Sequence, residues 1–240
     1  MPGLQEDLNW LLHVVAGDRG HCGIIQMLCD FGANPLATPT SMTVLSSAAL
    51  QGHIDAMRRA LEYGIDPNAR TTSGETALHR AARYWQLEPI QLLLSAGANI
   101  EATSIPGMTP LLSAANRGSL AAAEFLLDAG ANIHARNVNR FTIIELATVR
   151  DTSLEMITLF LQRGAKPLPS TNADRMTALH WAARVGNTAL VQVLCGAGFK
   201  VDTLDQRGRT ALHLAVRENH QSTVTALLQA GADPSTSYRS

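Results

Sequence analysis

The sequence has few aromatic residues and few cysteines, and each scarcity narrows the folds that it can adopt. Aromatic residues make up 5% of the 240 residues, whereas alanine and leucine are abundant, which favours closely packed helices over β-strands. The three cysteines, Cys22, Cys29 and Cys195, are an odd number and lie beside apolar residues such as Leu28 and Leu194. We therefore expect buried, reduced thiols rather than a disulfide framework or a metal site.

Long apolar runs and an excess of either charge are also missing. No apolar stretch approaches the roughly 20 residues that cross a bilayer, and the first residues lack the basic start and long apolar core of a secretory signal. With a formal net charge of −1 and only two lysines, the chain has no general attraction for nucleic acids or acidic membranes. These absences predict a cytoplasmic or nuclear protein that does not cross a membrane, and they leave nucleic-acid binding through a basic side only as a weak third option.

What the sequence does contain is one short unit, repeated. The segment from Thr177 to Gly198 has apolar residues three and four positions apart on each side of a Gly186-Asn187 break, which predicts two short amphipathic helices. Threonine begins each copy, and subtraction of its positions gives intervals of 33, 33, 33, 35 and 33 residues. The threonines are Thr43, Thr76, Thr109, Thr142, Thr177 and Thr210. A helix pair this short cannot bury its apolar stripe alone, so the copies must stack.

The repeated motif resembles the ankyrin repeat. The matching segments are TALHRAA from Thr76, TPLLSAA from Thr109, TALHWAA from Thr177 and TALHLAV from Thr210, at the 33-residue period of that family. The resemblance implies an all-α solenoid of stacked helix pairs, with short β-hairpin fingers projecting from it. It also implies that the first helix of each pair lines a concave surface and that the second helices form the back.

The period divides the chain into a first, irregular unit and six regular ones. We expect residues 1–34 to form a degenerate N-terminal capping repeat, and residues 235–240 to form a tail. The six predicted repeats are 35–67, 68–100, 101–133, 134–167, 168–201 and 202–234. Trp10, Leu11 and Val14 are apolar for a cap, so either they fold over the end of the stack or something upstream or bound to them covers it. We favour the first alternative.

The histidines are explained better by architecture than by chemistry. His79, His180 and His213 all stand at the fourth position of the threonine motif, where the resemblance to ankyrin repeats implies a bond to the backbone of the neighbouring finger. His21, His53 and His220 fall at the turn between helices, while His13 and His134 are too far apart to share a zinc ion. No phosphate-binding loop or hydrolase motif is present. We therefore predict no catalytic residue, metal or cofactor.

The unit from residue 136 to 164 departs from the pattern. Glu145 replaces the histidine, Thr148 replaces an alanine, and Arg140 stands where other fingers have glycine, as does Arg175 in the next finger. Because a side chain disfavours positive φ, we expect both links to turn differently. The irregularity is either drift or a pocket at Glu145, Arg140 and Thr148. A pocket would make the chain an unusual enzyme or small-molecule binder, which is our alternative prediction.

Arginines and aromatics recur at the first-helix positions that the ankyrin geometry turns outward. Arginine forms forked contacts with carboxylates and phosphates, and exposed aromatics beside it are typical of binding sites. Any single one of these side chains could equally be ordinary solvated surface. Together they predict a non-catalytic, monomeric scaffold that binds an acidic or phosphorylated protein segment. The predicted partner-binding residues are Arg80, Arg83, Tyr84, Arg117, Trp181, Arg184 and Arg217.

Overall fold

The structure is a computed structural model that describes residues 2–13, 21–34, 43–84, 86–150 and 152–236. The described residues form fourteen α-helices and no β-strand. They divide into two compact units, Met1–Asn132 and Ile133–Ser240. None of the helices in the described part of the chain has the length and apolarity that a membrane span requires.

The first unit contains four helix pairs in two layers. Among the first helices of the pairs, α1 packs on α3, α3 on α5 and α5 on α7, and the second helices α2, α4, α6 and α8 follow the same succession. The helices are α1 (Pro2–His13), α2 (Cys22–Asp30), α3 (Val44–Gln51), α4 (Ile54–Glu62), α5 (Ala77–Arg83), α6 (Leu87–Ser95), α7 (Pro110–Arg117) and α8 (Leu120–Asp128).

The second unit repeats this arrangement with three helix pairs. The first helix α9 packs on α11, and α11 on α13, while α10, α12 and α14 form the second layer. The helices are α9 (Ile143–Val149), α10 (Leu154–Gln162), α11 (Ala178–Val185), α12 (Thr188–Gly196), α13 (Ala211–Arg217) and α14 (Gln221–Gln229). The all-α prediction of stacked helix pairs is therefore confirmed, while the number of repeats and their boundaries stay predictions.

The repeated threonine begins each first helix for a local reason. In α11, Thr177 is the N-cap, and its hydroxyl oxygen accepts a hydrogen bond from the backbone N–H of His180. This satisfies one of the N–H groups that an α-helix leaves without a partner. The same helix ends at Gly186, whose φ of 74° is left-handed, a conformation that suits glycine. Threonine and glycine thus fix the length of α11.

Small residues in the first helices and larger ones in the second helices make up the core. Ala81 and Ala82 of α5 are completely buried, as are Ile90 and Leu93 of the neighbouring α6. Alanine lets the first helices approach one another closely, and the apolar stripe of each second helix then covers them. This packing explains why alanine and leucine dominate the composition.

The fingers between helix pairs are tight turns. In the finger before α5, the Gly74 N–H donates to the Thr71 carbonyl at 2.8 Å, and the Thr71 N–H donates to the Glu75 carbonyl at 2.8 Å. Within the first unit, the Ile105 N–H of the next finger donates to the Ser73 carbonyl at 2.9 Å. The fingers therefore close as turns and bond to their neighbours through single backbone hydrogen bonds, without forming strands in the described residues.

The prediction that the fingers at Arg140 and Arg175 turn differently is wrong. Arg140 has a φ of 63° and Arg175 a φ of 51°, close to the 73° of Gly74. Their N–H groups donate to Asn137 and Asn172 at 2.8 and 2.9 Å, the same turn that closes the finger at Gly74. The hydrogen bonds of the turn outweigh the cost of placing a side chain at positive φ, which is about 1 kcal/mol.

The predicted N-terminal cap does not fold over its own end. Trp10 is 52% exposed and Leu11 is 41% exposed, so these side chains are not tucked against the stack. Only Leu12 among these neighbours is buried, at 1% exposure. Val14 lies outside the described residues. The expectation that we favoured for Trp10 and Leu11 is therefore wrong.

Candidate protein-interaction surface

Buried histidines join two of the helix pairs, those of α5 and α11, to the finger that follows. The Nδ1 of His79 accepts from the Thr76 N–H at 3.1 Å, which requires the proton to be on Nε2, and Nε2 donates to the Met108 carbonyl at 2.8 Å. His180 repeats this bridge from Thr177 to the Arg209 carbonyl, at 3.2 and 3.0 Å. Burial lowers the pKa of both imidazoles, so they stay neutral. The architectural interpretation of these histidines is confirmed.

Glu145 takes the place of the bridging histidine in α9. Its Oε2 accepts from the Thr142 N–H at 2.8 Å and from the Thr142 hydroxyl at 3.1 Å. Burial raises the pKa of this carboxyl group, while bonds from Thr142 and the nearby Ser170 and the charge of Arg136 oppose the rise. The Ser170 hydroxyl is close enough to influence this carboxyl group, but it is buried and forms no well-aligned hydrogen bond. The Glu145 carboxylate is thus engaged in the capping box at the start of α9.

The three residues of the alternative pocket are placed differently from one another. Glu145 and Thr148 are buried in α9, and the Thr148 hydroxyl donates to the Ile144 carbonyl at 2.8 Å. Arg140 is exposed on the preceding finger. A cavity of about 430 Å³ does occur in the second unit, but it lies at the next link, between Pro167, Pro169, Phe199 and Lys200. The structure offers no specific support for chemistry at Glu145.

In the first unit, two of the predicted binding arginines have a partner within the fold. The Arg80 Nε lies 2.7 Å from the Glu75 Oε2, and Arg83 forms an ion pair with the other oxygen of the same carboxylate. Glu75 is only 7% exposed, so both arginines compensate a buried charge. The sequence analysis did not anticipate this partner, although an acid directly before Thr76 and one turn from Arg80 was a usable signal.

The other two predicted residues of the first unit lie against each other. Tyr84 ends α5 and is 39% exposed, and the guanidinium carbon of Arg117 lies 5.8 Å from the centre of its ring. Arg117 is exposed at the end of α7, which packs on α5. This distance is within the range of a cation–π contact.

In the second unit, Trp181 and Arg184 make a closer pair. The Arg184 guanidinium carbon lies 4.3 Å from the centre of the Trp181 ring, and Phe141 meets the same indole at 6.3 Å between ring centres. The Trp181 Nε1–H is buried without a hydrogen-bond partner. Phe141 was missed from the sequence, yet it stands directly before Thr142, as Glu75 stands before Thr76.

Arg217 differs from Arg184, although it stands at the same position of the next pair. Its Nη2 lies 2.6 Å from the Glu218 Oε1 in an exposed ion pair. Among the described residues, no carboxylate lies within ion-pair distance of Arg117 or Arg184, whereas Arg80, Arg83 and Arg217 each have one. Of the predicted binding arginines, Arg117 and Arg184 thus lie one in each unit, and each lies over an aromatic ring.

Comparison with known proteins gives the chain its family. A family model described as ankyrin repeats matches three times, at residues 12–104, 66–137 and 146–238. The crystal structure of the human ASB11 ankyrin repeat domain superposes with a TM-score of 0.80 at 27% identity, covering 93% of this chain and 99% of that one.

Curated relatives share shorter segments. A transient receptor potential cation channel subfamily A member 1 homolog of Caenorhabditis elegans is 41% identical over 81 residues, which are 33% of this chain and 7% of that protein. The ARF GTPase-activating protein Git of Drosophila melanogaster is 37% identical over 87 residues, 36% of this chain and 12% of that protein. The chain thus spans a small part of these relatives. On the family match and the shared fold, it belongs to the ankyrin repeat family.

Proposed function

We propose that this chain is a protein-interaction scaffold without catalytic activity, and that Trp181 and Arg184 bind an acidic or phosphorylated segment of a partner. Ankyrin repeats are generally protein-interaction modules, which gives the class of function. The observation that carries the site is the guanidinium of Arg184, held 4.3 Å above the indole of Trp181 without a carboxylate partner in the described residues.

The stacked geometry prepares Arg184 for an anion. A cation–π contact at an exposed site contributes about 0.5–1 kcal/mol, and it restrains the Arg184 guanidinium over the Trp181 ring. A carboxylate or phosphate can then accept two parallel hydrogen bonds, and such charge-assisted bonds are roughly twice as strong as neutral ones. Because the side chain is already oriented, less conformational entropy is lost when the partner binds.

Apolar side chains beside Arg184 provide the rest of an interaction site. Val185 is 54% exposed on α11, and Val149 is 40% exposed on the adjacent α9. Aromatic and arginine anchors surrounded by apolar area are the composition of binding hot spots. We therefore propose that the partner presents an acidic or phosphorylated residue next to an aliphatic one.

Tyr84 and Arg117 form a second, weaker site in the first unit under the same proposal. Their separation of 5.8 Å is longer than that of the Trp181 pair, and tyrosine attracts a cation less than tryptophan does. Arg80 and Arg83 contribute less to anion binding than we predicted, because Glu75 already compensates their charge. The same holds for Arg217 beside Glu218.

The test is binding of phosphoserine and poly-acidic peptides, measured by fluorescence anisotropy. We expect Arg184→Glu to weaken binding at least tenfold, and Arg184→Lys to weaken it less, since lysine keeps the charge but loses the fork. The matched control is Glu155→Arg, on the exposed surface of α10 in the same unit, which should leave binding unchanged. Equal binding by the Arg184→Glu variant and the parent chain would contradict the proposed site.

Oligomeric state and location belong to the same proposal. We propose that the chain acts as a monomer in the cytoplasm or nucleus. Light scattering on the purified chain and imaging of a tagged copy measure these two properties. A stable oligomer that hides Trp181 and Arg184 would be incompatible with the proposed site.

A further inference from the structure

The cavity of about 430 Å³ in the second unit lies between two consecutive links, and we call it the link cavity. One link follows α10 and contributes Pro167, Leu168 and Pro169 to the wall, and the other follows α12 and contributes Phe199 and Lys200. The wall formed by these residues is therefore mainly apolar, with one cationic side chain. Small-molecule sites in proteins have volumes of about 300–1,000 Å³ and a similar composition, so the cavity has the size and lining of such a site.

Elsewhere in the chain, polar side chains join consecutive links. The side chain of one link accepts a hydrogen bond from a backbone N–H of the next. The acceptor is the fourth residue after the glycine that follows a second helix, and the donor is the second residue after the next such glycine. The pairs are Asn68 with the Asn99 N–H at 2.7 Å, Glu101 with the Asn132 N–H at 2.7 Å, and Asp202 with the Asp233 N–H at 3.0 Å.

At the link cavity, Leu168 and Lys200 hold the two positions of this bond. The leucine side chain has no acceptor, and Pro167 and Pro169 on either side of it have no N–H to donate. Among the described residues, the Lys200 N–H makes no hydrogen bond. Because the corresponding N–H groups point at the preceding link, we expect this one to point at Leu168 in the cavity wall. The missing bond thus leaves a backbone donor beside the cavity.

The lysines of the chain add positive charge at the same position. Lys166 and Lys200 are its only lysines, and each is the second residue after the glycine of its link. Other links have Asp66 or Asn99 there, whose side chains accept from backbone N–H groups two residues on, at 2.8 and 2.9 Å. A lysine cannot accept such a bond. The two links beside the cavity therefore carry a cation in place of an acceptor, which favours an anionic ligand.

The surrounding charges favour an anion with a single negative charge. Asp202 is exposed on the same link as Lys200, and its Oδ1 accepts from the Asp233 N–H. A phosphate group carries up to about two negative charges at neutral pH, so Asp202 repels it more strongly than it repels a carboxylate. The apolar wall also requires that the anion carry an apolar group.

We propose that the link cavity binds a small molecule that has a compact apolar body and one carboxylate group. The apolar body packs between Pro167, Pro169 and Phe199. The carboxylate accepts from the backbone N–H and the ammonium group of Lys200, and such charge-assisted bonds are stronger than neutral ones. This site is separate from Trp181 and Arg184, and it does not depend on the binding of acidic segments there.

The test is a titration of the isotope-labelled full chain, followed by two-dimensional NMR of its backbone amides. The probes are phenylpropionate, its uncharged analogue phenylpropanamide, and acetate, which has the carboxylate without the apolar body. We expect phenylpropionate to shift the Lys200 amide signal and to bind at least fivefold more tightly than either of the other probes. The internal control is the Asp233 amide, which corresponds to that of Lys200 but is bonded to Asp202, so its signal should stay in place.

Substitutions in the links locate the ligand. Leu168→Asn supplies the acceptor that other links have, so it should engage the Lys200 N–H and weaken binding of phenylpropionate at least fivefold. Leu168 is 37% exposed, so we expect no loss of melting temperature. The matched control is Leu154→Asn, which makes the same change at a leucine that is 38% exposed at the opposite end of α10, and it should bind like the parent. Lys200→Gln keeps the N–H and should lose most of the preference for phenylpropionate over phenylpropanamide.

Three results would overturn the proposal. The first is an unshifted Lys200 amide, or equal binding of phenylpropionate and phenylpropanamide to the parent chain. The second is parent-like binding by Leu168→Asn. The third is binding of an acetylated peptide that ends in phenylalanine at least tenfold more tightly than phenylpropionate, since the occupant would then be the end of a partner chain. Arg184→Glu should leave phenylpropionate binding unchanged, so failure here is distinguishable from failure of the Trp181 and Arg184 site.

Discussion

At the scale of single residues, histidine and glutamate fill one position of the repeat with different chemistry. His180 accepts from the Thr177 N–H through Nδ1 and donates from Nε2 to the Arg209 carbonyl in the next finger. Glu145 accepts from the Thr142 N–H through a carboxylate oxygen, but an ionised carboxylate cannot donate onward to a carbonyl. The glutamate therefore keeps the helix cap and gives up the bridge to the next finger.

The bridge predicts that His180→Ala destabilises the fold. The substitution leaves the buried Thr177 N–H and the Arg209 carbonyl without their partner, which costs about 1–3 kcal/mol. We expect a lower free energy of unfolding in urea denaturation, with peptide binding at Arg184 retained below the transition. His180→Gln is the control, because glutamine keeps the capping bond to the Thr177 N–H. A parent-like denaturation curve for His180→Ala would contradict the role of this bridge.

The buried histidines also predict how stability changes with pH. Burial lowers the pKa of His79 and His180 from the ordinary value of 6.5, so the unfolded chain binds protons more readily than the folded chain. Their contribution to stability is complete above pH 6.5 and is lost as the pH falls through the lowered pKa values. Thermal melting from pH 7.5 downwards measures this loss, with about pH 6.5 as its upper limit. His79→Gln with His180→Gln should flatten the curve.

Glu145 contributes with the opposite sign. Burial raises the pKa of its carboxyl group above the ordinary 4.5, so the folded chain holds this proton more readily than the unfolded chain. Stability from this group falls as the pH rises from about 4.5 through the raised pKa. Glu145→Gln should remove this component and leave the loss below pH 6.5 in place. A stability advantage of Glu145→Gln over the parent that grows as the pH falls would contradict the assignment.

At the scale of elements, the fingers show where side chains and backbone compete. Arg140 and Arg175 take the left-handed conformation that glycine takes in the finger at Gly74. The hydrogen bonds from their N–H groups to Asn137 and Asn172 hold the turn, so the backbone conformation is maintained at the expense of side-chain strain.

This strain predicts that Arg140→Gly and Arg175→Gly each stabilise the chain. Removal of the side chain relieves about 1–2 kcal/mol, while glycine gives back roughly 0.5–1 kcal/mol through the entropy of the unfolded chain. We expect a net gain of about 0.5–1 kcal/mol for each variant in urea denaturation. The reverse control is Gly74→Ala, whose added Cβ would lie 3.0 Å from the Ile105 backbone nitrogen and should destabilise. Loss of stability in both glycine variants would mean that the arginine side chains hold the turn.

The helices were predictable from the sequence because their signals are local. Thr177 and Gly186 set the start and the end of α11 through bonds within one turn of helix. The turn at Arg140 was not predictable from the preference of one residue for negative φ, since the Asn137 carbonyl and the rest of the finger decide it. The φ preference of a single residue does not predict the backbone conformation where several hydrogen bonds act together.

At the scale of the whole molecule, arginines at one position of the repeat have different neighbours. Arg83 and Arg184 stand at the same position in their helix pairs, yet one pairs with Glu75 and the other lies over Trp181. The difference comes from the residue before the threonine, which is Glu75 in one repeat and Met176 in the other, and from the first helix itself, where Trp181 stands at the position of Arg80. Position within a repeat predicts where a side chain lies, but its neighbours determine what it can bind.

Because Arg184 has no carboxylate partner among the described residues whereas Arg83 has one, substitutions at these positions can separate partner binding from folding stability. Reversal of Arg117 and Arg184 together, by Arg117→Glu and Arg184→Glu, should weaken binding of acidic peptides strongly and lower the melting temperature only slightly, through the loss of their contacts with Tyr84 and Trp181. Neither arginine has a carboxylate partner among the described residues, and exposed charges contribute only about 0–1 kcal/mol to stability. At an interface, loss of one partner of a desolvated charge pair costs about 2–5 kcal/mol.

Two further variants serve as controls, one for folding stability and one for the surface that binds the peptide. Arg83→Glu should lower the melting temperature, because it leaves the buried Glu75 with one arginine and a second acid beside it. Reversal of Glu88, Glu124 and Glu155, which are exposed on the second helices, should leave peptide binding intact. The measurements are anisotropy titrations and thermal melts of all three variants. If the second-helix variant loses the acidic peptide while the Arg117 and Arg184 variant keeps it, the binding surface is formed by the second helices instead.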